Sequence, residues 1–306
     1  MQSLWMLFAS FMFAIMGVCV KLASEQFSTS EIVVYRGLVG VVTLFTMIRI
    51  QGGTFRSTMP YAHVWRGVVG VFSLWLWFYS IAKLPLATAM TLNYMAPIWI
   101  AVYLFAMGWW HAKNHIEWPL LLAVGMSFVG VTLLLQPAFQ SNQLGPALIA
   151  LSSSVLSAMA YMQVRKLGLA GEPEYRVVFY FSIMNLVAGV AGHYALDGPS
   201  PVWHPITSVH GGLLLLGIGI CATSAQMAMT RAYRLGKTLV VANLQYTGIV
   251  FSSVWGVLVF GDVFDTHSWT GIAVILGSGV AATFYNTRNT ERGKAIASTD
   301  PIASEV

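Results

Sequence analysis

The feature that most constrains this chain is a succession of apolar stretches, each close to twenty residues long, separated by short polar connections. The opening stretch runs from Leu4 to Leu22, with Lys21 as its only charge. About twenty apolar residues are what an α-helix needs to cross the hydrocarbon core of a bilayer. Inside that core every backbone amide and carbonyl needs a partner within the protein, which leaves helices or a closed barrel. Barrel strands alternate apolar and polar residues. These stretches are continuously apolar, so they select helices. Only 9% of the residues are charged, against about a quarter in a soluble domain.

The pattern predicts an all-α integral membrane protein with ten transmembrane helices, at 4–22, 31–49, 65–83, 87–107, 118–136, 146–165, 176–195, 211–232, 238–260 and 268–286. Turn chemistry sits between them, as in Gly52-Gly53, Leu84-Pro85, Gly145-Pro146 and Asp197-Gly198-Pro199-Ser200-Pro201. Residues 289–306 read as a polar tail. The chain enters apolar sequence directly after Met1-Gln2-Ser3, without a basic leader, so the first segment is expected to be a retained helix. Of the 16 Lys and Arg residues, all but Lys21, Arg36 and Lys83 fall on the side of the N-terminus when the ten helices alternate. The positive-inside rule then places both termini in the cytoplasm. That asymmetry accounts for the net charge of +5 without invoking nucleic acid. Cys19 and Cys221 lie in apolar runs and read as packing residues.

The two halves echo each other. Asn93-Tyr94-Met95-Ala96-Pro97-Ile98 resembles Gln245-Tyr246-Thr247-Gly248-Ile249, Trp118 resembles Trp269, Gly130-Val131 resembles Gly279-Val280, and Lys21 resembles Arg165. Five helices per half is an odd number, so equivalent helices run in opposite directions. The expectation is two inverted repeats, 1–140 and 141–288, with a substrate site between them near the midplane. The stretch Trp77-Phe78-Tyr79-Ser80-Ile81-Ala82-Lys83-Leu84-Pro85-Leu86-Ala87-Thr88-Ala89, with Asn93-Tyr94, Ala96-Pro97, Tyr35-Arg36-Gly37, and Gln245 to Phe251 ending at Phe260-Gly261-Asp262, resembles the EamA-type drug/metabolite transporters. That resemblance implies two inverted five-helix repeats around a central cavity, and transport of amino acids or similar metabolites, often outward.

The acidic residues are as telling by their positions. All eleven lie in loops, tails or helix ends, so no carboxylate stands near the midplane as a proton relay. His193 is the single histidine expected within a helix, near its outer end. These positions predict facilitated flux down the substrate's own gradient. No phosphate-binding G-x-x-x-x-G-K-[ST] loop is present. His111 and His115 have only Glu117 nearby, too few ligands for a metal, so no metal or cofactor is expected.

The candidate substrate surface is polar and aromatic. Helix four offers Asn93 and Tyr94, with Pro97 freeing a carbonyl where the helix bends. Helix nine offers Asn243, Gln245 and Tyr246, helix six Tyr161 and Gln163, and helix eight Thr223, Ser224 and Gln226. Uncharged amides and hydroxyls recognise a zwitterion through hydrogen bonds, though the same groups also bind helix to helix. Trp75 and Phe78 share a face of helix three, as an aromatic wall for substrate or as lipid-facing bulk. Ser153 and Ser157 form a small-residue packing face. Arg36 is either a counter-ion for a substrate carboxylate, a gate partner for Glu31, or a side chain reaching toward headgroups. Lys21 is a similar, more terminal candidate. No H-E-x-x-H, G-x-S-x-G or paired intramembrane aspartates suggest an enzyme. The expectation is therefore a secondary transporter in a bacterial inner membrane, moving a small amino-acid-like substrate outward by facilitated alternating access, with a complete path in a monomer; the alternative is a proton-coupled antiporter or an uptake carrier of another small metabolite.

Overall fold

The computed structural model describes residues 4–100, 143–197, 203–236 and most of 241–281, with isolated residues between 102 and 133. Its elements are α1 (Leu4–Ala23), α2 (Thr29–Ile50), α3 (Pro60–Lys83), α4 (Leu86–Asn93), α5 (Leu144–Leu169), α6 (Glu174–Leu196), α7 (Val209–Leu235) and α8 (Thr247–Phe260). Among the described residues there is no strand. Six helices, α1 to α3 and α5 to α7, are long and apolar enough to cross a membrane. This is an all-α membrane protein. The segment 118–136, expected as the fifth helix, lies almost wholly outside the described residues.

Several helices start earlier than expected, and two of these starts, at α2 and α3, set Arg36 and Arg66 deeper in their helices. α2 begins at Thr29 because Ser28 caps it. The Ser28 hydroxyl accepts from the Glu31 amide, and the Glu31 carboxylate accepts from the Ser28 amide, a reciprocal capping box. α3 begins at Pro60, not residue 65. Proline suits the first helical position, where its missing N–H costs nothing and its φ is already helical. Arg36 and Arg66 therefore sit well inside their helices instead of at the ends.

The long helices pair in reverse order. α1 packs chiefly on α7, α2 on α6 and α3 on α5, while α4 meets both α5 and α8, and α1 also meets α8. Exchanging the two groups of helices maps this scheme onto itself. The core between them mixes bulky side chains such as Phe13, Trp77, Phe78 and Tyr233 with small and flexible ones, including Ala9, Ala14, Met16, Met90, Ala222, Ala225 and Met229; the small ones permit close helix approach.

Helices four and nine are not the continuous rods expected at 87–107 and 238–260. α4 ends at Asn93, Tyr94 and Met95 form a turn, and helix resumes at Ala96. Pro97 explains this break: it has no N–H to offer the Asn93 carbonyl one turn back. In the other half, helical Leu244 is followed by a turn at Gln245 and Tyr246, after which α8 begins. No proline is present there. The Gly248 amide turns to the Gln245 carbonyl at 3.0 Å, and the Thr247 hydroxyl donates to the released Leu244 carbonyl at 2.6 Å.

Candidate functional site

The two breaks meet. Tyr94 lies so flat against Gly248 that a Cβ at position 248 would stand 2.5 Å from the tyrosine ring, so only glycine fits. Around this crossing the structure gathers the polar residues of both halves. Asn93 donates to Ser153 at 2.7 Å and Ser157 at 3.4 Å, and Ser157 pairs with Ser73 at 2.7 Å. Ser153 and Ser157 thus do more than pack: they tie α3, α4 and α5 together. Gln245 donates to the Tyr161 hydroxyl at 3.0 Å, while its side-chain amide oxygen, Oε1, is buried without a partner. The Tyr94 hydroxyl is likewise buried and unpaired. Tyr246 is buried in the main core.

Arg66 enters this centre from α3. It is 2% exposed, and its Nη2 donates to Gln226 Oε1 at 3.2 Å. Its guanidinium lies 3.8 Å from the centre of the Phe181 ring. Gly70 makes the posture possible, since a Cβ there would collide with Arg66 Nη1 and sit 2.9 Å from Phe181. Arg36, on α2, is 3% exposed and approaches the same ring at 5.0 Å. Arg66 Nε and Nη1 and Arg36 Nε are buried without a hydrogen-bond partner. Guanidinium groups keep their charge in proteins. Two cations therefore share one aromatic ring, with no carboxylate on either among the described residues.

Two cavities flank Tyr161. The central one, about 30 Å³, is bordered by Arg66, Ser73, Trp77, Tyr94, Tyr161 and Gln226 among others. It has room for water, not for a metabolite, so substrate access requires the helices to part. The second is a vestibule of about 330 Å³ lined by Tyr161, Tyr233, Arg165 and Lys166 with apolar neighbours, a volume within the range of small-molecule pockets. Tyr161 and Tyr233 stack at 5.8 Å between ring centres beside both spaces.

The remaining expected residues fall elsewhere. Trp75 packs against Gly192 of α6, where an added Cβ would overlap its ring. Phe78 is in the core beside Trp77, and Trp77, not Trp75, faces the central cavity. Gln163 and Ser224 are half-buried and border neither cavity. Thr223 bonds back to the Gly219 carbonyl of its own helix. Asn243 lies outside the described residues. Glu31 does not pair with Arg36: besides capping α2, it accepts from the His204 amide at 2.6 Å and the His204 ring at 2.9 Å. Lys21 stands 3.9 Å from Asp262 and over the Phe260 ring. Arg66, Trp77, Phe181 and Ser73 were not anticipated as site residues. Pro60 was the available signal for Arg66, because a helix started there carries position 66 inside.

Comparison with known proteins decides the family. The pseudopaline exporter CntI of Pseudomonas aeruginosa is 31% identical over 274 residues, covering 89% of this chain and 92% of that protein. The EamA-like transporter family model matches residues 1–136. This chain belongs to the EamA family of drug/metabolite transporters. It is similar also to a riboflavin transporter of Vibrio cholerae, at 24% identity over 96% of this chain and 97% of the relative. A crystal structure of another protein superposes with a TM-score of 0.67, at 16% identity, over 92% of this EamA chain and 98% of its own, which bears on the fold alone. The chain is a transporter of small metabolites and not an enzyme.

Proposed function

We propose that the chain exports a small amino-acid-like metabolite across a bacterial inner membrane, by facilitated alternating access between two inverted halves. The observation that carries this reading is the meeting of two interrupted helices, at matched positions of the halves, beside a buried arginine. Broken helices at corresponding places are where secondary transporters expose backbone and polar groups to substrate. The reverse-order helix pairing supports the inverted repeat over 1–140 and 141–288. Arg66 with Gln226 supplies a carboxylate site, and the free Gln245 side-chain oxygen Oε1 accepts from an ammonium. Tyr161, Asn93 and Tyr94 hold the surrounding wall.

The vestibule carries Arg165 and Lys166, so the basic-side rule puts it on the cytoplasmic face and gives internal metabolites a route to the centre. Similarity to an exporter supports the outward direction. The confinement of acidic residues to loops, tails and helix ends supports flux without a proton relay. The experiment is efflux of a labelled amino-acid mixture from proteoliposomes with no ion gradient. Loss of particular amino acids faster than from protein-free vesicles upholds the reading. Efflux only under an imposed pH gradient replaces facilitation with proton coupling, and His193 then becomes the first residue to change.

A further inference from the structure

A substrate with one carboxylate leaves half of the central charge unused. Two guanidinium groups flank Phe181, and Arg66's one side-chain partner is a neutral amide oxygen. Among the described residues, the acidic residues within the spanning helices, Glu31 and Glu174, stand in the first turn of α2 and α6. The acids at the helix ends are engaged there: Glu31 with His204, Glu172 with Arg176, Asp197 with His193 and Asp262 with Lys21. A buried charge needs a partner of opposite sign or it destabilises the fold, and these two have none within the chain's described residues.

We infer that the substrate carries two acidic groups, carboxylate or phosphate, one held by Arg66 and the other reaching Arg36. This rests on the reading of the centre as the transport site and names its substrate class. Three features converge on it. Arg66 and Arg36 point unpaired N–H groups into buried space. The planar guanidinium fork suits an acid group in a bidentate fashion. The vestibule that shares Tyr161 with the centre is flanked by Arg165 and Lys166, and a basic mouth raises the local concentration of anions. An acidic amino acid satisfies every group at once, because its ammonium meets the unpaired Gln245 oxygen.

The test compares glutamate with glutamine, which share a shape and differ by one charge. Thermal unfolding of the purified full-length protein is followed with glutamate, succinate, 3-phosphoglycerate, glutamine and alanine. The three compounds with two acidic groups raise the midpoint in a concentration-dependent way, and glutamine and alanine do not. Arg36→Gln and Arg66→Gln each shift the glutamate response to about tenfold higher concentration or more. Arg36→Lys and Arg66→Lys, which keep the charge, cover the case of a glutamine variant that fails to fold; they bind more weakly and still prefer glutamate over glutamine. A response to 3-phosphoglycerate alone supports the inference with phosphate as one of the two acids. Equal responses to glutamate and glutamine, no response to any acid, or an unchanged glutamate response in Arg36→Gln overturns it. Stabilisation by glutamate without flux in proteoliposomes keeps the anion site and removes the transport reading. Flux of neutral amino acids with no glutamate response does the reverse.

Discussion

The ends of the α2–α6 pair and its middle treat buried charge in opposite ways. At one end Asp197 accepts from Ser28 at 2.6 Å, from Ser30 at 2.9 Å, and pairs with His193 at 2.8 Å. At the other, Glu172 accepts from Ser57 at 2.6 Å, from the Thr58 amide at 3.2 Å and from Arg176 at 2.8 Å. Burial pushes the Glu172 carboxyl up, but these hydrogen bonds and the arginine outweigh it and bring the group down to about 2. Each clasp joins a loop of the first half to a loop of the second. Between them, Arg36 and Arg66 have N–H groups with no partner. Satisfied polar networks rigidify a structure, whereas groups left unmatched inside a fold mark where function is bought at the expense of stability. The difference separates scaffold from site.

The sharpest way to break this division is at the crossing itself. Gly248→Val drives two methyl groups into Tyr94; overpacking of this kind costs about 1–3 kcal/mol, and transport falls to the protein-free level. Measuring flux beside size-exclusion profiles separates a blocked site from a lost fold, and normal flux would remove Gly248 from the centre. Next comes Glu172→Gln, which lowers stability by about 1–3 kcal/mol at pH 7 through loss of the charge-assisted bonds. Because the folded carboxyl lies below its ordinary 4.5, its contribution is complete above that value and disappears as pH falls toward about 2. Melting curves of wild type and variant should therefore converge across that window; a constant gap would contradict the assignment.

Smaller again is Asp197→Asn, expected to cost about 1 kcal/mol. Its effect should add to that of Glu172→Gln, since the clasps share no partner. Strong non-additivity in the double variant would mean that the ends communicate. The smallest effect is the pairwise coupling of Gln245 and Tyr161. A cycle of Gln245→Leu and Tyr161→Phe should give about 0.6 kcal/mol, typical of hydrogen bonds between membrane helices. A value near zero would break the link from α5 to the second turn.

Much of the scaffold was legible because lipid imposes one rule on every span: about twenty apolar residues. The six long helices follow from it. The first break was legible through Pro97, whereas the second has no proline and depends on Tyr94 pressing against Gly248, a contact between halves. Ser28-x-x-Glu31 was readable as a capping box, and it leaves Glu31 unsuited to gating Arg36. Choosing Trp77 over Trp75 as the cavity residue required knowing which face of α3 meets α6, and periodicity alone gives no partner. Arg66 was hidden by a helix start placed five residues late.

The most direct measurement compares the same kind of change in the two regions: melting of substrate-free Arg66→Gln beside Glu172→Gln, in one detergent at pH 7. If the centre holds charge for a substrate, Arg66→Gln melts above wild type and Glu172→Gln below it. If Arg66→Gln melts below wild type as Glu172→Gln does, Arg66 is a structural residue and the division between scaffold and site fails.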